Sequence, residues 1–162
     1  MQRSSKIALG LAALLLAILV MFFVLRQPPP PDQDQIIAQL EIARAAGEQN
    51  SAGGVLSIVS PDFSTPSGVL HNKQQLGFYL YQQMKDGGRA RVTLSPPSVV
   101  VQGDTATSAC QITVRSLDSG QVQFDKPVTL TWRKEDGRRF FVVPTKVWRI
   151  VGIQGDLPGG ED

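Results

Sequence analysis

At Arg89 the spacing of apolar residues falls from about 3.6 to 2 and stays there almost to the end of the chain. A helical pattern before that point and an alternating one after it confine the fold to helices followed by a run of strands. RARVTLS sets Ala90, Val92 and Leu94 against polar neighbours, and SVVVQ resumes the alternation after Pro96 and Pro97. Gly103 and Asp104 turn the chain, and TATSACQITVRS then places Ala106, Ser108, Cys110, Ile112 and Val114 on one face. The DSG at Asp118 to Gly120 is a hairpin turn. QVQFDKPVTLTWRK follows with Val122, Phe124, Val128, Leu130 and Trp132 on one face, and EDG at Glu135 to Gly137 reads as the next turn. FFVVPTKVWRIVGI, Phe140 to Ile153, is the last strand, expected to bend or bulge at Pro144.

Ahead of Arg89 three helices are legible. The first starts at Asp32 or Asp34, with Ile36, Ile37, Leu40 and Ala43 on one face and Glu41 paired to Arg44 on the other. A short second one lies in SAGGVLSIVSPDF, carrying Val55, Leu56 and Val59, with Gly53 and Gly54 weakening its start. The third, NKQQLGFYLYQQMK, opens on a capping-box-like Asn72 and Gln75, repeats Leu76, Tyr79, Leu80 and Met84, and closes at Gly87 and Gly88. The class is therefore α+β, with helices packed on a strongly bent antiparallel sheet that wraps this third, longest helix.

A different solvent governs the N-terminus. IALGLAALLLAILVMFFVL, residues 7–25, is uncharged over 19 residues and spans about 28 Å as a helix, close to a bilayer core. Arg3 and Lys6 precede it, which places residues 1–6 in the cytoplasm and the bulk of the chain outside. No small-x-small site precedes Pro28 and no cysteine follows the run, so an uncleaved single-pass anchor is expected. Residues 26–33, with prolines 28 to 31, read as a stiff extended linker; a ligand for a proline-reading domain is the other use of such a run. Residues 34–154 form the domain, and the glycine- and acid-rich residues 155–162 a disordered tail.

Composition removes several function classes. Arg3, Lys6 and Arg26 belong to the N-terminal segment, which leaves 13 basic residues against 14 acidic, so nothing argues for nucleic acid. Cys110 is the sole cysteine and His71 the sole histidine, which excludes an intrachain disulfide and a Cys/His metal cluster. No cofactor or metal is expected. Asp104 and Asp118 are turn formers, and Asp125 faces solvent.

LSIVSPDF after the second helix, VVVQGDTATSACQITV across a hairpin and KVWRIVGI at the end together resemble the NTF2-like superfamily, the cone fold of SnoaL-like and ketosteroid-isomerase-like proteins. The resemblance runs from Asp32 to Ile153; Gly53, Gly54 and the FFVVPTK insertion depart from it. It implies a conical pocket. Catalysis of the ketosteroid-isomerase kind needs a carboxylate base and preorganised donors, for which Asp62, Tyr79 and Tyr81 are the pocket candidates. The two tyrosines lie two apart on a helix, about 200° around it, so both cannot face one pocket. No residue is assigned a catalytic role. In proteins of similar fold the outer sheet face often packs on a copy of itself, and Val147, Arg149, Val151 and Ile153 are the interface candidates here.

The expected function is accordingly a membrane-anchored, extracytoplasmic binding or assembly module without catalytic activity. Its expected partners are the membrane, through residues 7–25, and a second copy or an envelope protein. The layout also resembles tethered components of type IV secretion machines. The alternative is a pocket enzyme or small-molecule binder.

Overall fold

The computed structural model describes residues 14–16, 29–66, 68, 70–139 and 143–155. The chain divides into two units, Met1–Pro31 and Asp32–Asp162. In the first, residues 14–16 are helical. Among the described residues no helix is long and apolar enough to cross a membrane. The expected anchor at 7–25 lies outside them except for residues 14–16, and so do residues 1–6, the start of the linker and most of the tail.

In the second unit helix α1 spans Asp32–Glu48, α2 Ala52–Leu56 and α3 Lys73–Asp86. Helix α1 buries Ile36, Leu40 and Ala46, and Arg44 bridges Glu41 at 2.7 Å and Glu48 at 3.0 Å on its outer side. Ser51 caps α2 by accepting the Gly54 N–H at 3.2 Å. The glycine at 54 has a packing reason: a Cβ there would lie 2.7 Å from the Ala46 Cβ, so the bare backbone lets α2 close on α1. Asn72 caps α3 through the Gln75 N–H, and the Gln75 side chain returns to the His71 N–H, a reciprocal cap shifted by one residue.

The five strands are β1 Ala90–Leu94, β2 Ser98–Gln102, β3 Thr105–Ser116, β4 Val122–Arg139 and β5 Val143–Gln154. All pairings are antiparallel, in the order β1-β3-β4-β5, with β2 also on β3. Pro96 and Pro97 split one edge into β1 and β2, and Ser95 stitches the gap to Gln111 by two hydrogen bonds. Those bonds turn the Gln111 amide and carbonyl away from its partner Pro127. The Gln111–Pro127 pair is thus a non-hydrogen-bonded one, and proline's missing donor costs the β3–β4 ladder nothing.

Three expectations need correction. The EDG segment is not a turn: β4 runs through Glu135–Gly137, which pair with Val147–Thr145, and an Asp136–Lys146 bridge of 2.7 Å adds to that pairing. The connection falls at residues 140–142, outside the described residues, so the last strand is described from Val143 rather than Phe140. The register shifts lie between Val114 and Arg115 and opposite Thr131/Trp132, while pairing continues unbroken through Pro144. Finally, the longest helix is α1, not α3. Helix α1 lies along β1, β2 and β5, whereas α3 packs against α2 and sends Leu76, Tyr79 and Leu80 into or against the core. The 17 residues of α1 outlast its recognisable apolar stripe because Arg44 ties two carboxylates along its exposed side.

The most deeply buried side chains come from β3, β4, β5, α1 and the segment after α2. Trp132 and Trp148 are 0% and 1% exposed, with Ile36, Phe63 and Val59 around them. Each indole N–H is satisfied: Trp132 donates to Ser108 Oγ at 2.8 Å and Trp148 to Asp32 Oδ1 at 3.1 Å. Asp32 also holds Lys134 at 2.8 Å, and the ammonium lies 5.1 Å from the Trp148 ring centre. The first residue of α1 is thereby pinned to the sheet by both of its carboxylate oxygens. Lys134 is the main reason its carboxyl lies below the ordinary range.

Candidate functional site

Burial along the concave face of the sheet is graded. Ala106, Ser108 and Cys110 on β3 and Val128, Leu130 and Trp132 on β4 are buried, while Ile112, Val114 and Phe124 further along are half-buried and Lys126 is exposed. The interior is therefore closed by side chains at the tryptophan end and loosens toward the other. Cys110 sits in the closed part, and burial pushes its thiol up.

The pocket candidates are dispersed. Tyr79 packs half-buried against the core, and burial raises its hydroxyl. Tyr81 is 62% exposed on another side of α3. Asp62 is exposed and bound to Arg133 at 2.7 Å. Two open grooves flank α3: one of about 630 Å³ lined by Leu70, His71, Gln74, Gln75, Phe78 and Tyr79, and one of about 520 Å³ that includes Leu56, Pro61 and Lys73. Asp62 and Tyr81 line neither.

What Asp62 joins is a network at the edge of the sheet. The segment after α2 runs beside β5: Ile150 donates to the Ile58 carbonyl and accepts from Ser60, and Val151 accepts from Ser64. Side chains fasten it. Ser60 Oγ donates to Glu135 Oε1 at 2.6 Å, Arg133 reaches Asp62 and Glu135 at 2.7 Å each, and Arg149 donates to the Ser57 carbonyl at 2.7 Å. Lys73 Nζ caps the Val59 carbonyl at 2.7 Å; desolvation, then the nearby Arg149 charge, lower its pKa. Burial pushes the Glu135 carboxyl up, but the bonds from Ser60 and Arg133 and the charges of Arg133 and Arg149 outweigh it, leaving a net lowering. Every one of these groups is committed to holding the strap. The arrangement reads as edge protection for β5 rather than as a reaction centre.

The interface candidates split in the same region. Val147 and Arg149 share the convex face, but Arg149 is engaged with Ser57. Val151 is the extra residue of the bulge, because Trp132 pairs with Ile150 and Thr131 with Gly152. Past it Ile153 pairs with Leu130 and packs on the core, so Ile153 does not continue the outward row. A two-residue alternation cannot foresee that flip, since one bulge reverses every later side chain. An exposed, uncharged convex row lies on β2, β3 and β4 instead. Val100 (54% exposed), Thr107 and Thr131 stand in one cross-strand row, with Ala109 and Thr129 beside them. The alternating threonines of TATSACQITV carried that signal.

Helices packed on the concave side of one strongly curled antiparallel sheet fit the cystatin-like, NTF2-like cone fold. The chain is similar to a cystatin-like-fold protein of unknown function from Nostoc punctiforme, at a TM-score of 0.63 and 16% identity over 83% of this chain and 96% of that one. It is similar too to an NTF2-like protein from Novosphingobium aromaticivorans (TM-score 0.58, 20% identity, 91% and 90% covered). A third likeness is to a protein designated a calcium/calmodulin-dependent protein kinase type II association domain from Thiobacillus denitrificans (TM-score 0.59, 16% identity, 80% and 97% covered). At these identities the likeness concerns the fold alone. In sequence the chain matches no family model and no curated protein.

Proposed function

We propose that this chain is a non-catalytic binding or assembly module, held at a membrane by residues 7–25 and self-associating through the convex face of its sheet. The observation that carries the reading is the commitment of its ionisable groups. Asp62, Glu135, Arg133, Arg149 and Lys73 are all spent on fastening the strap to β5, and Trp132 and Trp148 occupy the apex where a deep pocket would lie. The convex row of Val100, Thr107 and Thr131 is uncharged, exposed and made of small side chains, which suits a second copy of the same surface. One of the similar structures is designated an association domain, which favours the same direction.

Sedimentation equilibrium of the full chain in a density-matched non-ionic detergent tests the assembly half. A dimer is expected, reduced to a monomer by Val100→Lys with Thr131→Lys; a monomeric parent overturns it. For the anchor, the full chain is expected to stay with membranes through an alkaline carbonate wash and to leave them once residues 7–25 are deleted. Release of the intact chain by the wash overturns that part. The half-buried Tyr79, Leu80, Leu94, Ile112 and Phe124 at the loose end favour binding of a small apolar molecule as the second reading.

A further inference from the structure

At the end of the sheet away from the tryptophans two arginines face each other. Arg91 of β1 and Arg115 of β3 are direct cross-strand partners, and both are exposed. They point to the convex side, because their neighbours Val92 and Val114 are the half-buried ones and Val92 lies against Gly47 of α1. Like charges opposed on one sheet face repel; Glu135 reaches both members of the opposed pair Arg133 and Arg149, but among the described residues no carboxylate bridges Arg91 to Arg115. Relief is partial. Arg115 donates to the Gly120 carbonyl at 3.0 Å and feels the Asp125 carboxylate, which is itself held by Gln111 and Thr113. Among the described residues the Arg91 side chain makes no hydrogen bond or ion pair, its backbone being paired to β3. The same row continues onto β4 at Val122, the register partner of Arg115, which is 48% exposed, as is Leu117 just beyond it. Arg89, also exposed, gives its carbonyl to the Leu117 N–H. Asp118, beside Gly88, is the acidic side chain nearest the hairpin tip.

We propose that this row, Arg91–Arg115–Val122 with Arg89 and Leu117, is a docking site for an acidic segment of a partner protein that carries apolar side chains between its carboxylates. Charge complementarity identifies the acid: two guanidinium groups on adjacent strands match carboxylates presented by an extended chain. The exposed valine and leucine in the same row take the intervening apolar residues. A lipid surface fits less well. The domain begins at Asp32, beside Trp148, and α1 then runs 17 residues, about 25 Å, to Glu48, whose carboxylate takes the Val92 N–H. The row therefore lies at the Glu48 end of α1, where Asp118 and Asp125 flank it and would repel a continuous anionic surface. The site is separate from the self-association row, since Thr107 and Arg115 are eight residues apart on β3, about 26 Å.

The probe is a short fluorescein-labelled peptide alternating glutamate with valine, titrated by anisotropy into the full chain in non-ionic detergent. Saturable binding is expected, weakened at least tenfold by Arg91→Ser or Arg115→Ser, weakened by added salt, and unchanged by Val100→Lys with Thr131→Lys. Arg91→Ser is expected to leave Tm unchanged or raise it by about 2 °C, because it removes the repulsion. This separates a binding residue from a structural one. The proposal fails if the peptide does not bind, if the lysine counterpart peptide binds equally, or if Arg91→Ser binds as well as the parent. It also fails if vesicles of phosphatidylserine, and not the peptide, are what Arg91→Ser ceases to bind. A monomeric parent that still binds the peptide would sink only the self-association reading.

Discussion

The two ends of the sheet follow opposite rules. At the apex Trp132, Trp148 and Ser108 are sealed, each indole N–H has one acceptor, and the Asp32–Lys134 pair pins α1 there. At the far end Ile112, Val114 and Phe124 are half-buried on the concave side, and two arginines stand opposed on the convex one. The same strands, β3 and β4, run through both. The contrast teaches that stability is concentrated in one half of the cone, leaving the other half free to carry groups that folding does not require.

The strongest way to break this contrast is Trp132→Ala, which empties the apex and is expected to cost about 3–5 kcal/mol, read by chemical denaturation. A cost near 1 kcal/mol would mean the apex is not the stability centre. Ser108→Ala leaves the buried Trp132 N–H without its acceptor, and a loss of about 1–3 kcal/mol is expected. Phe124→Ala at the loose end removes a side chain that is only half-buried. About 1 kcal/mol is expected, and a value equal to that of Trp132→Ala would erase the distinction between the ends. The smallest effect belongs to the strap. Glu135 has a folded pKa below its ordinary 4.5, so its contribution is present above about pH 4.5 and lost as the pH falls through the folded value. Stability of the parent should therefore drop more steeply below pH 4.5 than that of Glu135→Gln. Parallel curves would show that the strap draws nothing from this carboxylate.

Much of the architecture was legible because it rests on local rules. The switch at Arg89, the Asn72 cap, the Gly103 turn and the alternation through Ala106, Ser108 and Cys110 each involve residues a few positions apart. Reading failed wherever the answer lay across strands. Glu135–Gly137 has turn composition, yet it stays extended because Val147, Lys146 and Thr145 pair with it. Ile153 alternates outward in sequence, and a single bulge at Val151 returns it to the core. Asp62 is a pocket candidate by sequence, but its partner Arg133 lies 71 residues away and nothing local announces the pairing.

By itself the sequence determined the order of the elements, their type, and which face of most strands is apolar, since hydrophobic period and turn chemistry act over a few residues. Only the tertiary structure decided register, and register decided nearly everything about the surface. It set Arg91 against Arg115, lined up Val100, Thr107 and Thr131, and committed Asp62 and Glu135 to the strap. The physical reason is that a cross-strand contact depends on the hydrogen-bond pairing of two segments, and a one-residue slip in either exchanges all of its neighbours.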